Sequence, residues 1–339
     1  IAPESGALGK TAGEELANYL RMVFALEAPV EEGPAGEAPF SLSLAESLPA
    51  QEFRLAPKAG GVAIEAGSPR ALLWGVHELA ERWGVRHWLQ GSEPVRPKPP
   101  SPTLNAPVHM RPALNTRAWR LINEFAFGPL SWSLDTNRRY LRQLARLKTN
   151  RVMLGLWSHQ PFVHYTFRGR PKPPGRLFFG AEFPLNEATV GRPFLPEGDL
   201  FTNPEFIGAK TPEELHMRAV NLAKGIMAES AALGMALAIA IQPFAWPKEL
   251  NDLIPLSSTE HQVGNLNTCP SPDMPLDQPE VRDMIATQFL AYRETYPEAE
   301  YLMVTMPEAR SWTGPAEEAF NRLDAKYGIG ELGSYEDFL

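Results

Sequence analysis

A repeat of apolar strand, loop and long amphipathic helix constrains the fold of this chain most, and it begins near Asn115. The clearest unit opens at Thr211, where the letters TPEE combine an N-cap, a proline at the first helical position and acids in the first turn. Gly234 ends that helix just before an apolar strand. Four strands can be placed, within 114–122 and at 151–157, 235–241 and 301–305. Strands that alternate with helices predict βα units and a parallel sheet.

The helices between these strands follow the same pattern. Asp135 is expected to cap one helix, another should begin near Asp277, and a last one follows at 315–327. A complete eight-stranded barrel takes about 250 residues, and only about 230 follow the first domain here, many of them in long loops. The sequence therefore predicts an incomplete TIM-type (β/α) barrel, truncated after strand four. An open doubly wound sheet is the alternative, but its usual Gly-x-Gly-x-x-Gly loop is absent after the first strand.

The residues before the repeat predict a small α+β domain. Thr11 and Glu14 form a capping-box pattern for a first helix, and 61–66 reads as a strand. Ser68 and Pro69 then open a second helix that ends at Gly84, before another strand at 85–88. Seven prolines between 93 and 112 predict an extended bridge. We place the domains at 1–105 and 106–339.

Composition excludes several classes of partner. The net charge is −8 and the basic residues are scattered, so the chain lacks the basic stripe that nucleic-acid binding needs. No apolar run approaches the length of a membrane span, which predicts a soluble protein. Cys269 is the single cysteine and cannot form an internal disulfide. The chain opens without an initiator Met, so we expect a secreted or periplasmic protein whose signal peptide is not in the sequence. Nothing in the pattern fixes an oligomeric state.

Aromatic and polar side chains cluster where the predicted strands end, which is where barrel active sites form. Sugars present C–H faces that stack on rings and hydroxyls that need polar partners, so this mixture suits a carbohydrate. For the tryptophans the alternative is core packing. The predicted substrate-binding residues are Trp119, Asn123, Glu124, Trp157, His159, Gln242, Trp246, Arg310 and Trp312.

Glu308 is the predicted catalytic residue, because it follows the fourth strand and could protonate a glycosidic oxygen. Trp312 would raise its pKa by desolvation, whereas Arg310 could oppose that or bind a substrate carboxylate. The alternative is a surface glutamate paired with Arg310. Most glycosidases need a second carboxyl, and here it is either Glu124 or a residue outside the chain. His159 and His164 lack metal-ligand spacing, so no metal or other cofactor is expected.

Two stretches resemble known families. GVAIEAGSPRALLWGVHELAERWGVRHWLQG, from Gly61, resembles the small domain before the barrel in α-glucuronidases and family-20-type β-N-acetylhexosaminidases. LARLKTNRVMLGLW, from Leu144, and QPEVRDMIATQFLAYRETYPEAEYLMVTMPEARSWTGP, from Gln278, resemble barrel segments of xylan-type α-glucuronidases. This resemblance implies that Glu308 is the general acid. The usual α-glucuronidase pattern here is Ser-Glu-Gly-Gln-Pro-Gly-Pro, and this sequence keeps only the Glu and a later Gly-Pro. Hexosaminidases have an Asp-Glu pair, and in this sequence Pro307 stands in place of the Asp.

The leading hypothesis is therefore an exo-acting, α-glucuronidase-like glycoside hydrolase that acts on glycans from plant or bacterial polysaccharides with two carboxylates. The alternatives are a β-N-acetylhexosaminidase-like hydrolase, a non-catalytic carbohydrate-binding protein and a barrel enzyme of another class. A second carboxylate roughly 5–10 Å from Glu308 would favour hydrolysis. A strand-end lysine or a metal cluster would favour the last alternative.

Overall fold

The chain is described by a computed structural model that covers residues 1–34, 38–94, 101–121, 128–175, 181–254, 259–262, 266–271, 278–306 and 316–338. The first domain contains α1 (Gly6–Phe24), β1 (Phe40–Leu44), β2 (Phe53–Lys58), β3 (Gly61–Ala66), α2 (Pro69–Arg82), β4 (Val85–Trp88), β5 (Gly91–Pro94) and β6 (Val108–Met110). The sheet has the order β1-β3-β2-β6. β1 runs parallel to β3, β2 is antiparallel to both of its neighbours, and β4 and β5 form a separate hairpin.

Apolar faces of α1 and α2 pack on one side of this sheet. Leu55 and Ile64 are paired across β2 and β3, and both are fully buried. They contact the apolar face of α2, including Leu72 and Val76, which belong to the same buried cluster. Gly75 permits the close approach, since a Cβ there would meet the Ile64 side chain at 2.7 Å.

Local signals in the first domain are mostly confirmed. The Ser68 hydroxyl accepts a hydrogen bond from the Ala71 amide at the start of α2, and Gly84 adopts a φ of 92° just beyond its end. The prediction that Thr11 opens α1 is wrong, because the helix already begins at Gly6. The Thr11 hydroxyl instead donates to the carbonyl of Ala7, one turn earlier in the same helix.

The second domain carries the predicted βα units and short inserted strands. In chain order its elements are β7 (Ala118–Leu121), α3 (Leu134–Arg146), β8 (Arg151–Gly155), β9 (Thr166–Phe167), β10 (Arg170–Pro171), β11 (Glu182–Pro184), β12 (Leu200–Thr202), α4 (Pro212–Ala232), β13 (Ala236–Ile241), β14 (Trp246–Pro247), β15 (Thr259–Gln262), β16 (Asn267–Pro270), α5 (Pro279–Thr295), β17 (Tyr301–Val304) and α6 (Ala316–Tyr327). Short 3₁₀ helices lie at Pro3–Ser5, Pro129–Ser131, Arg192–Phe194, Lys248–Leu253, Ile329–Glu331 and Glu336–Phe338.

The main sheet of the second domain confirms the barrel-type arrangement. Its order is β17-β13-β8-β7, and all three pairings are parallel. The strands therefore lie side by side in the order of the sequence, whereas a doubly wound sheet reverses that order at a switch point. Val152 and Leu154 of β8 share a face with Leu237 and Ile239 of β13, and this face packs against the helices. The opposite face is lined by small residues such as Ala238.

Some predicted boundaries move. Ser133, rather than Asp135, caps α3, since its hydroxyl accepts from the Thr136 amide. α5 begins at Pro279, two residues after the predicted start. β6 pairs with β2, so the first sheet extends past the predicted domain boundary at residue 105 and includes part of the predicted bridge. The sequence did not predict β6, because a strand of three residues between prolines is too short to show an alternating apolar pattern.

The two domains contact each other through charged and aromatic side chains. Arg146 of α3 donates to both carboxylate oxygens of Glu15 in α1, at 2.9 and 3.0 Å. The guanidinium of Arg117 lies 4.5 Å from the ring centre of Trp74 in α2. The β4–β5 hairpin lies beside α3, with the Ser92 hydroxyl 3.0 Å from the side-chain amide of Gln143. No helix in the ranges given above is long and apolar enough to cross a membrane.

Candidate functional site

The carboxyl ends of β7, β8, β13 and β17 meet at one edge of the parallel sheet, where a barrel active site would form. We call this edge the barrel mouth. Five of the predicted site residues are described, namely Trp119, Trp157, His159, Gln242 and Trp246. The others lie outside the described residues, and these are Asn123, Glu124, Glu308, Arg310 and Trp312.

The segment that follows β8 is folded tightly into the barrel mouth. The Leu156 amide donates to Ala240 of the neighbouring strand, and the Trp157 amide donates to the side-chain oxygen of Gln160 at 2.8 Å. The Trp157 side chain is buried, and the Arg120 guanidinium lies 5.6 Å from the centre of its ring. Because Arg120 comes from β7, this contact joins the ends of the first two strands of the sheet.

His159 is buried next to β16, one of the short strands inserted after β13. The side-chain amide of Asn267, in β16, lies 2.7 Å from the His159 Nδ1. The two side chains form a hydrogen bond whose direction depends on the tautomer of the imidazole. Burial, and then the charge of Lys172, lower the pKa of His159 to about 3. The imidazole is thus neutral near pH 7, and its role there is to hold β16 against the segment after β8.

Lys172 is buried in the same region, and the sequence analysis missed it. Its Nζ donates to the backbone carbonyls of Gln160 and Val163, the latter at 2.7 Å, so it ties together both parts of the loop after β8. Burial lowers its pKa to about 7. No carboxylate in the described part of the chain forms an ion pair with it. Its sequence surroundings, RPKPPG, resemble an exposed loop and carry no signal for this role.

Gln242 connects the ends of β13 and β17. It is half-buried, and its side-chain nitrogen lies 3.4 Å from the carbonyl oxygen of Met306. The Thr305 hydroxyl donates to the carbonyl of Ile241 in the same place. Met306 precedes Glu308 by two residues in sequence, so Gln242 helps to fix the chain that leads to the predicted acid. Its partial exposure suits an amide that binds a sugar hydroxyl.

Trp246 and Trp119 do not present their rings at the barrel mouth in the structure. Trp246 is completely buried in the core, and its indole nitrogen donates to the side-chain oxygen of Asn251 at 3.0 Å. It has no exposed ring face to stack on a sugar. Trp119 shares the helix-facing side of the sheet with Val152, and its ring centre lies 6.2 Å from that of Tyr140 in α3. The core-packing alternative therefore describes Trp246. Trp119 is 38% exposed and lies on the helix side of the sheet, away from the barrel mouth.

Chemically, the described part of the barrel mouth supplies binding and positioning groups. Arg120 and Gln242 can donate hydrogen bonds, while His159 and Lys172 hold the loop after β8 in place. Acid chemistry would have to come from carboxylates such as Glu308, whose surroundings are not among the described residues. Within the ranges that the structure covers, no group of three or more His, Cys, Asp or Glu side chains could hold a metal ion.

Comparison with known proteins supports the fold. No protein-family model and no curated protein matches the sequence. Among solved structures, the N-acetyl-β-hexosaminidase of Streptomyces plicatus in complex with Thio-NAglucal matches 94% of the chain at 21% identity, with a TM-score of 0.52. The GH20 β-N-acetylhexosaminidase of Streptomyces coelicolor matches 94% at 20% identity and a TM-score of 0.53.

A GH138 enzyme targeting pectin rhamnogalacturonan II matches 89% of the chain at 14% identity, with a TM-score of 0.51. The chain spans 57% and 58% of the length of the two hexosaminidases and 29% of the GH138 enzyme. At these identities the likeness shows the fold. It is a fold of the kind seen in glycoside hydrolases, with a small domain before a parallel (β/α) sheet.

Proposed function

We propose that this protein is a glycoside hydrolase with Glu308 as its general acid. The observation that carries the proposal is the sequential parallel sheet behind a small α+β domain, an arrangement shared over 94% of the chain with two hexosaminidase structures. In such a sheet the carboxyl ends of the strands form one mouth, and Glu308 follows β17 by four residues in sequence.

In the proposed mechanism, the Glu308 carboxyl gives its proton to the glycosidic oxygen as the bond to the sugar breaks. A second carboxylate either activates the water that attacks the anomeric carbon or attacks that carbon itself, in which case water then hydrolyses the glycosyl-enzyme. Glu124 is a candidate because it follows β7 in sequence. Gln242 and Arg120 would bind sugar hydroxyls. The neutral His159 and the buried Lys172 would keep the loop after β8 in shape without taking part in proton transfer.

Two substrate classes are compatible with the proposal, namely N-acetylhexosaminides and glucuronides. The fold comparison supports a terminal β-N-acetylhexosaminide, because two of the solved structures named above are β-N-acetylhexosaminidases. The resemblance of the barrel segments supports a glucuronide. Pro307 stands where the hexosaminidase pair has its Asp, so an N-acetylhexosaminide would here be hydrolysed with a carboxylate from elsewhere in the protein. We rank the N-acetylhexosaminide first, on the fold comparison.

The test is a screen of the full-length protein against aryl glycosides, including aryl N-acetyl-β-hexosaminides, and against glucuronidated xylo-oligosaccharides. Glu308→Gln should lower kcat by about 10²–10⁴-fold, the usual contribution of general acid catalysis. Glu249→Gln, at an exposed glutamate of the 3₁₀ helix after β14, is the matched control and should keep full activity. Equal activity of Glu308→Gln and wild type would remove Glu308 from the mechanism. A folded wild type that binds sugars but hydrolyses none would support the non-catalytic alternative.

A further inference from the structure

A cavity of about 710 Å³ lies between α3 and the turn of the β4–β5 hairpin, at the junction of the two domains. Its wall contains Trp132, Arg139, Tyr140, Arg142, Gln143 and Arg146. α3 covers the outer face of the parallel sheet, so this cavity is separate from the barrel mouth. None of the five predicted site residues that the structure describes lines it. Its volume falls within the range of about 300–1,000 Å³ that is typical of small-molecule sites.

The wall of this cavity is positively charged. Arg139, Arg142 and Arg146 are spaced by three and four residues and therefore share one face of α3. Two of them are held in place by carboxylates, Arg142 by Glu229 and Arg146 by Glu15, both at 2.9 Å. Among the described residues, no Asp or Glu lines the cavity. Because Arg142 and Arg146 are already paired with carboxylates, an anion that enters would be bound chiefly by Arg139.

Arg139 differs from the other two arginines. Its only side-chain contact among the described residues is a hydrogen bond of 3.3 Å from Nη2 to the Thr136 hydroxyl, one turn earlier in α3. It forms no ion pair within the described ranges, although Arg138 beside it pairs with Asp135. The planar guanidinium of Arg139 is thus available to bind a carboxylate through two parallel hydrogen bonds.

Aromatic rings complete the wall. The rings of Trp132 and Tyr140 meet edge to face, with their centres 5.3 Å apart, and both side chains are half-buried. Half-burial keeps the rings rigid while part of their surface still faces the cavity. Ring faces of this kind stack on the C–H face of a sugar, whereas a free inorganic anion gains nothing from them.

We propose that this cavity is an accessory site for a carboxylated sugar, that is, a hexuronate residue of an acidic glycan. The carboxylate would lie against Arg139, and the sugar ring would stack on Trp132 or Tyr140. The site holds the glycan and does no chemistry. It does not depend on the proposed hydrolase activity, because binding can be measured without turnover.

Titration calorimetry of the full-length protein with trigalacturonate tests this proposal. Galactotriose, the neutral counterpart, and inorganic phosphate are the comparison ligands. Arg139→Gln should weaken trigalacturonate binding about tenfold, as expected for the loss of a charge-assisted hydrogen-bonded pair. Trp132→Ala should weaken it to a similar degree through lost stacking. Arg282→Gln removes the same charge from an exposed arginine of α5 that does not line the cavity, and it should bind almost as wild type does.

Several results would overturn the proposal. Trigalacturonate binding that is unchanged in Arg139→Gln would place the ligand elsewhere, for example at the barrel mouth. An equal loss in Arg282→Gln would show a general effect of charge. Equal binding of galactotriose would remove the role of the carboxylate, and equal binding of phosphate would remove the role of the sugar ring. A wild type that binds no trigalacturonate at millimolar concentration would also refute the site.

Discussion

The Lys172→Met variant replaces a buried amine with an apolar side chain of similar length, and its stability should depend on pH differently from that of the wild type. In the folded protein the Lys172 Nζ donates to the carbonyls of Gln160 and Val163. A neutral amine still has two N–H groups, one for each carbonyl. Burial lowers its pKa from 10.5 to about 7, so the amine can lose its charge near neutral pH while it keeps both hydrogen bonds.

The sign and size of the effect follow from proton linkage. Between pH 7 and pH 10.5 the unfolded chain holds a proton on Lys172 that the folded chain has largely released. The unfolded state binds more protons in this window, so the free energy of unfolding rises with pH, by up to about 1.4 kcal/mol per pH unit. With a folded pKa of about 7, the gain between pH 7 and pH 9 is about 2 kcal/mol. Methionine does not titrate, so the free energy of unfolding of the variant lacks this increase with pH.

Urea denaturation at pH 7, 8 and 9, followed by tryptophan fluorescence, measures the difference. The stability lead of wild type over Lys172→Met should grow by about 2 kcal/mol across this range. Other titrating groups are common to both proteins and cancel in the comparison. At pH 9 the variant should be the less stable protein, because two buried carbonyls lose donors at about 1–3 kcal/mol each. Lys248→Met, at an exposed lysine nearby, should keep the wild-type slope. Parallel pH curves for wild type and Lys172→Met would refute the reasoning.

Other predictions test the core and the reassigned tryptophan. Leu154→Ala should destabilise the protein by about 2–5 kcal/mol in urea denaturation, since Leu154 is fully buried between sheet and helices. Leu147→Ala, at a leucine that is 42% exposed, should cost less than about 1 kcal/mol, and an equal loss in both would contradict this account of the core. Trp246→Phe should lower stability by about 1–3 kcal/mol, because Asn251 loses its donor, and should leave sugar affinity unchanged. A large loss of affinity without a loss of stability would return Trp246 to the binding site.

The order of the elements could be predicted because its signals are local. Thr211 and Pro212 open α4 as expected, with the Thr211 hydroxyl accepting from the Glu214 amide, and Gly234 with a φ of 72° ends the turn after that helix. A cap or a helix stop depends on a few neighbouring residues, so it can be read without knowledge of the rest of the chain. The alternation of these elements then predicted the parallel sheet.

The candidate site was only partly predictable, because a side chain's position past a strand does not fix the direction in which it points. Trp119 and Arg120 are adjacent, yet the first packs outward on Tyr140 and the second reaches Trp157 at the barrel mouth. Alternation along a strand puts neighbours on opposite faces, and only the register with β8 shows which face lies against the helices.

The sequence by itself determined the βα repeat, the α+β domain ahead of it and the strand-end location of the predicted site. Tertiary structure decided which residues of that site are accessible. It buried Trp246 in the core and Lys172 against two backbone carbonyls, and it brought three arginines of α3 beside a hairpin of the first domain. The physical reason is the distance along the sequence over which each signal acts. Helix caps and apolar periodicity depend on residues only a few positions apart. Burial and the walls of a cavity depend instead on segments that are far apart in the chain and meet only after it folds.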